Sequence, residues 1–104
     1  MDQFDLYVNT DKDTNKTYPY FVDIQNSLLD TLNSRVVIPL TPISQSGTYP
    51  EKLCPVIKIK NKPFALLTHQ LTSIPISFLK EKETSLAFSR DAIITAIDFL
   101  VTGI

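Results

Sequence analysis

The spacing of apolar residues changes near residue 84, and this change limits the folds that the chain can adopt. Before it, short segments such as FDLYV at residues 4–8 alternate apolar and polar side chains, which is typical of a strand with one buried face. After it, apolar residues recur at helical spacing, with Ser89 as the expected N-cap. The pattern predicts an α+β fold, a small twisted barrel of five to seven strands with a C-terminal α-helix. The predicted helical stripe is Ile93, Ile94, Ile97, Leu100, Val101 and Ile104.

The strand pattern also predicts which side chains face the core in individual segments. In CPVIKIK at residues 54–60, Ile57 and Ile59 should point inward, because they alternate with lysines. The alternation in SIPISFL at residues 73–79 predicts a strand that continues through Phe78. The charged KEKE at residues 80–83 is predicted to be a connector.

Length and charge place the chain among ordinary globular proteins. The 104 residues predict one domain spanning residues 1–104. The formal net charge of −1 argues against broad electrostatic binding of nucleic acid. The densest basic set, Lys58, Lys60 and Lys62, is expected on a solvated strand face. The first residues lack the basic and apolar regions of a signal peptide, and no segment has the roughly 18 apolar residues of a membrane span, so we expect a cytoplasmic protein.

The sequence carries few residues that could perform chemistry. Cys54 is the only cysteine and is expected to be a small core residue. His69 is the only histidine, and its spacing from Cys54 does not suggest that they pair. No metal-binding spacing, glycine-rich phosphate loop or cluster of carboxylates is present. We therefore expect a binding protein, not an enzyme, with no catalytic residue, no metal and no cofactor.

One block of the sequence is specific enough to indicate a family. Residues 20–42, YFVDIQNSLLDTLNSRVVIPLTP, closely resemble the CcdB family of toxins from bacterial toxin–antitoxin modules. The matching positions are FVDIQ at residues 21–25, Leu28, Leu29, Asp30, Thr31, Arg35 and VIPL at residues 37–40. TSIPIS at residues 72–77 and the Gly103-Ile104 pair after the helix also agree. The resemblance covers nearly the whole chain except its loops.

The resemblance implies an architecture, two partners and a mode of action. The fold would be an SH3-like β-barrel with a C-terminal helix, assembled as a homodimer. The target would be the A subunit of DNA gyrase, which CcdB-like toxins trap in complex with cleaved DNA without changing it covalently. The other partner would be a cognate CcdA-like antitoxin, whose acidic, disordered C-terminal region neutralises the toxin and with it regulates transcription. Direct binding of nucleic acid and of membranes is not expected.

The resemblance also assigns target-binding residues. The gyrase-binding set carried over is Leu28, Leu29, Asp98, Val101, Thr102, Gly103 and Ile104. Three of these depart from a plasmid-type member of the family, which has asparagine, phenylalanine and tryptophan where this chain has Asp98, Val101 and Thr102. Because a tryptophan often dominates the energy of an interface, we expect weaker or modified gyrase binding. The antitoxin-facing loops, residues 9–16 and 44–53, diverge in sequence and are assigned more weakly, as Asn9, Thr10, Lys12, Lys16, Ser44, Gln45 and Tyr49.

Alternative interpretations remain open at this point. Val101 and Ile104 could complete the core stripe of the helix, and Leu28 and Leu29 could be core residues. The protein could be a non-toxic relative that only sequesters an antitoxin. It could also be a ribonuclease toxin of the same barrel plan, with His69 and either Arg35 or Arg90 handling the phosphodiester.

Overall fold

Seven strands precede a single α-helix in the part of the chain that the structure, a computed structural model, describes: residues 2–26, 31–43 and 49–103. This order confirms the predicted α+β plan of a small barrel with a C-terminal helix. The elements are β1 (Asp5–Val8), β2 (Tyr20–Asp23), β3 (Ser34–Pro42), β4 (Val56–Ile59), β5 (Lys62–Leu66), β6 (Thr72–Pro75), β7 (Lys82–Ser85) and α1 (Arg90–Thr102). Short 3-10 turns cover Thr68–Gln70, Ile76–Phe78 and Ala87–Ser89.

The long strand β3 organises the sheet. The strand order is β4-β5-β3-β2-β1-β7, and all pairs are antiparallel. On one side β3 pairs with β2. On the other side its first half pairs with β6, Ser34 opposite Pro75, and its second half pairs with β5, Leu40 opposite Leu66. Because two different strands share one side of β3, the sheet curls into a half-barrel instead of lying flat.

The concave face of the sheet and helix α1 enclose the main core. Core-facing residues of five strands pack together in one cluster, and α1 contributes Ile93 and Ala96, both fully buried. Ile94 and Ile97 pack against the edge of this cluster. Side chains in the first two turns of the helix therefore anchor it to the main core. The cluster members from the strands are Leu6, Val22, Ile38, Leu40, Ile57, Ile59, Phe64 and Leu66. Phe4, just before β1, belongs to the same cluster.

A second, smaller cluster covers the opposite face of the sheet. Tyr7, Val37 and Leu79 are buried there, with Phe21 and Ile74 packed against them. Tyr7 lies opposite Phe21 in the β1–β2 register, so both rings project to this face. Leu79 reaches the cluster from the segment that follows the 3-10 turn Ile76–Phe78.

Some local predictions hold and others are wrong. Ile57 and Ile59 are buried, and the lysines between and after them are exposed, as predicted. The strand predicted through Phe78 ends at Pro75, and Ile76 and Phe78 are 41% and 46% exposed.

The predicted charged connector and helix cap also need correction. Residues 82–85 form β7, which pairs with β1 although its residues show no apolar alternation. Ser89 does occupy the N-cap position of α1, but its side chain makes no capping hydrogen bond.

The buried phenol of Tyr7 predicts a loss of stability at alkaline pH. Burial, assisted by the negative charges of Asp5 and Asp23, raises the pKa of Tyr7 to about 12. An acid whose pKa is higher in the folded than in the unfolded chain stabilises the fold below the unfolded pKa and loses that contribution as pH rises. Urea unfolding should show the wild type losing about 2–3 kcal/mol relative to Tyr7→Phe between about pH 9 and about pH 12. Parallel pH profiles for the two proteins would contradict the assignment.

Candidate functional site

The C-terminal end of α1 carries four of the predicted gyrase-binding residues, and it is not part of the core. The fully buried side chains of the helix end at Ala96, and Val101 is 76% exposed. Asp98, Thr102 and Gly103 are exposed as well. The predicted core stripe is therefore wrong at Leu100, 39% exposed, and at Val101, because the barrel does not extend beneath the last turn of the helix. Ile104 lies outside the described residues.

Gly103 ends the helix in a conformation that other residues adopt only with strain. Its φ of +74° and ψ of 17° are left-handed, and its N–H donates to the carbonyl of Phe99 at 2.9 Å. A Cβ added here would meet nothing within 4 Å, so space does not require the glycine. The backbone conformation does, since it costs other residues about 1 kcal/mol or more. Gly103 thus ends the helix immediately after Thr102.

Thr102 and Asp98 are joined by a local hydrogen bond. The hydroxyl of Thr102 donates to the main-chain carbonyl of Asp98 at 2.6 Å, one turn earlier. Because the hydroxyl is engaged in this bond, the methyl group is the part of the Thr102 side chain that remains for contact with a partner. The exposed tip of the helix therefore presents Val101, this methyl group and the carboxylate of Asp98.

Two further members of the predicted gyrase-binding set, Leu28 and Leu29, lie outside the described residues. The described residues on either side of them are joined by a buried ion pair. Asp23 is fully buried, and one of its carboxylate oxygens accepts a hydrogen bond from Nε of Arg35 at 2.8 Å and lies 2.7 Å from Nη2 of the same guanidinium. Its other oxygen accepts from the N–H of Gln25 at 2.9 Å.

Arg35 and Gln25 extend this network across the two strands. Nη2 of Arg35 donates to the main-chain carbonyl of Gln25 at 3.2 Å, and the side-chain oxygen of Gln25 accepts from the N–H of Val36 at 3.1 Å. Burial raises the pKa of Asp23, while the hydrogen bonds from Arg35 and Gln25 act in the opposite direction. The network fixes where the chain leaves β2 and where it enters β3.

The predicted antitoxin-facing residues differ in accessibility. Thr10, Lys12 and Lys16 are exposed. Asn9 is only 2% exposed, and its side chain holds the loop together. Its Nδ2 donates to Oγ1 of Thr14 at 3.0 Å and to the carbonyl of Tyr18 at 2.8 Å, and its Oδ1 accepts from the N–H of Asp11 at 2.9 Å. Ser44 and Gln45 lie outside the described residues.

Tyr49, the last of the antitoxin-facing set, belongs to a side-chain cluster that sequence spacing did not predict. Its ring is 5.1 Å from the ring of His69, and Sγ of Cys54 is 3.6 Å from Nδ1 of the same histidine. Cys54 is buried, as expected, and burial raises the pKa of its thiol. A protonated, buried thiol is a weak nucleophile, so this pair does not have the features of an activated cysteine.

Of the two arginines in the ribonuclease alternative, Arg35 is buried in the fold, whereas Arg90 is exposed. Arg35 is 1% exposed and is engaged by Asp23, so it cannot contact a phosphodiester without breaking a buried ion pair. His69 lies against Cys54 and Tyr49, and neither of them is a cation that could stabilise a phosphate. Within residues 2–26, 31–43 and 49–103, no three His, Cys, Asp or Glu residues converge as metal ligands. In the same ranges, no helix has the length and apolar character needed to cross a membrane.

The curled sheet, the C-terminal helix with an exposed tip, and the buried ion pair that joins β2 to β3 define a small barrel-and-helix protein. The family model described as "CcdB protein" matches residues 3–103. The chain therefore belongs to the CcdB family, as the sequence resemblance indicated. Membership makes it a toxin of a toxin–antitoxin module.

Proposed function

We propose that this toxin binds the A subunit of DNA gyrase and traps the complex of the enzyme with cleaved DNA. The observation that carries the proposal is the exposed tip of α1. Val101, 76% exposed, contributes little to the core, and Gly103 ends the helix in a left-handed conformation. An apolar side chain that is free of the fold can be buried in a partner. The toxin acts by holding a conformation of its target and catalyses no reaction of its own.

Neutralisation by a cognate antitoxin and assembly as a homodimer belong to the same proposal. Exposed Thr10, Lys12 and Lys16 offer a polar, partly basic loop to an acidic antitoxin. Leu32, Ile76 and Phe78 are between 41% and 48% exposed, near the hydrogen bond from the N–H of Ile76 to the carbonyl of Asn33. These apolar side chains are suited to a contact between two copies of the chain.

Expression in a gyrase-sensitive bacterium, followed by a DNA cleavage assay with purified gyrase, tests the proposed function. We expect growth arrest and gyrase-dependent accumulation of cleaved DNA, and co-expression of the antitoxin should prevent both. If growth continues and no cleaved DNA accumulates while the antitoxin still binds, the protein is a non-toxic relative that only sequesters its antitoxin.

Replacing Thr102 with tryptophan should strengthen gyrase binding. The position is exposed at the proposed contact, and a buried indole can contribute about 2 kcal/mol or more to an interface, roughly tenfold or more in affinity. Thr95→Trp is the matched control, because Thr95 is exposed seven positions earlier on the same side of α1. Titration of gyrase A with both variants should show a gain only for Thr102→Trp. If both variants gain affinity equally, or if neither does, the gyrase contact lies elsewhere on the protein.

A further inference from the structure

A cavity of about 810 Å³ lies at one mouth of the barrel, away from the tip of α1. Its floor consists of side chains on the concave face at the ends of three strands. The rings of Tyr20 and Phe64 meet edge to face at 5.3 Å, with an angle of 79° between their planes. Pro42 lies opposite Phe64 in the sheet, and Ile59 lies opposite Lys62, so these side chains surround one opening. The main-core residues Phe64 and Ile59 form the bottom of the cavity.

The rim of the cavity is positively charged. Lys16, Lys60 and Lys62 all line it. Lys60 is paired with Glu83, with Nζ 2.6 Å from the carboxylate, so its charge is largely compensated. Among the described residues, no carboxylate oxygen lies within ion-pair distance of Lys16 or Lys62. Because Lys62 and Phe64 are two positions apart on β5, the Lys62 side chain starts on the same side of the sheet as the apolar floor.

We propose that the barrel mouth binds a small organic anion with an apolar body, with its charged group at Lys16 and Lys62 and its body against Tyr20, Ile59 and Phe64. The cavity volume falls within the range of roughly 300–1,000 Å³ that is usual for small-molecule sites, and the mouths of β-barrels are common places for them. Burial and the neighbouring carboxylate of Glu83, to which the Tyr20 hydroxyl is hydrogen-bonded, raise the pKa of Tyr20, so Tyr20 offers the ligand its ring.

A pair of probes that differ only in charge tests this site. Decanoate and its neutral analogue decanamide are titrated into the isotope-labelled full chain, and amide chemical shifts are followed. We expect saturable binding of decanoate with shifts centred on Tyr20, Ile43 and Phe64. Decanamide should bind about tenfold more weakly, because it lacks the attraction to the two lysines.

Charge-reversed variants show whether the lysines at the rim are responsible. The double variant Lys16→Glu and Lys62→Glu should weaken decanoate binding about tenfold and leave decanamide binding unchanged. The matched control, Lys12→Glu with Lys58→Glu, changes the net charge equally at exposed lysines that do not line this cavity, and it should bind decanoate like the wild type.

Four results would overturn the proposal, three of them from the titrations above. Those three are equal affinity for decanoate and decanamide, shifts centred away from the mouth, and equal weakening by both pairs of substitutions. A cavity that takes no decanoate but is filled by an antitoxin peptide would also overturn it, because the mouth would then be a protein docking site. None of these readouts depends on gyrase, so this proposal and the proposal of gyrase trapping can fail independently.

Discussion

We expect gyrase-dependent DNA cleavage to disappear when residues 102–104 are deleted, while the fold stays intact. The described residues of this segment, Thr102 and Gly103, are held at the end of the helix by hydrogen bonds that include those from the Thr102 hydroxyl to the Asp98 carbonyl and from the Gly103 N–H to the Phe99 carbonyl. Thr102 and Gly103 are exposed, so removing them uncovers little apolar surface. The free energy of unfolding should change by no more than about 0.5–1 kcal/mol. Gyrase trapping should be lost because the helix tip is its proposed contact.

Three measurements on the truncated chain distinguish the loss of a gyrase contact from the loss of the fold. Urea unfolding reports on the fold, sedimentation reports on dimerisation, and calorimetry reports on antitoxin binding, all beside the DNA cleavage assay. The control variant Thr95→Ala, on the same exposed side of α1, should retain full trapping. A truncated chain that no longer folds would make residues 102–104 part of the core, and one that still traps gyrase would remove them from the interface.

Replacing Arg35 with methionine should destabilise the fold by about 3–5 kcal/mol. Asp23 is fully buried, and Arg35 supplies both a hydrogen bond and the compensating charge, so the variant leaves a buried carboxylate with the N–H of Gln25 as its remaining hydrogen-bond donor in the described network. A loss of this size is a large part of the roughly 5–15 kcal/mol that stabilises an ordinary domain. Urea unfolding measures this loss, and the control variant Arg90→Met shows how much of it depends on the burial of the arginine. Arg90 is exposed, so the same substitution there should change stability by no more than about 0.5 kcal/mol.

A second substitution separates the unpaired charge from a simple loss of packing. Asp23→Asn removes the negative charge and keeps an oxygen that can accept from the N–H of Gln25. The double variant with Arg35→Met should therefore be more stable than Arg35→Met alone by about 1–3 kcal/mol. If the double variant is less stable than the single one, the cost of losing Arg35 comes from its packing, and the ion pair is not its cause.

Local sequence patterns predicted those parts of the fold in which a residue's position depends on its neighbours along the chain. In β4 the alternation of isoleucine with lysine was sufficient, because successive side chains of a strand point to opposite sides. The same reasoning failed for β7. Its residues, Lys-Glu-Thr-Ser, show no apolar alternation, and its strand conformation comes from pairing with β1.

The candidate site shows the same division. The motif resemblance selected Val101 and Gly103 as binding residues. Helical periodicity, in contrast, placed Val101 in a core stripe, because periodicity carries no information on how far the barrel extends beneath the helix. Likewise, no spacing rule joins Cys54 to His69, since fifteen residues and the β4–β5 hairpin separate them.

The sequence by itself determined the strand-then-helix plan, the CcdB family and the residues to examine at the helix tip, because period, turn-forming residues and motif are local properties. Tertiary structure alone decided that Val101 is exposed, that Asp23 and Arg35 form a buried pair and that lysines ring the mouth of the barrel. Burial and charge pairing depend on which distant segments contact each other. The curl of the sheet around β3 determines those contacts.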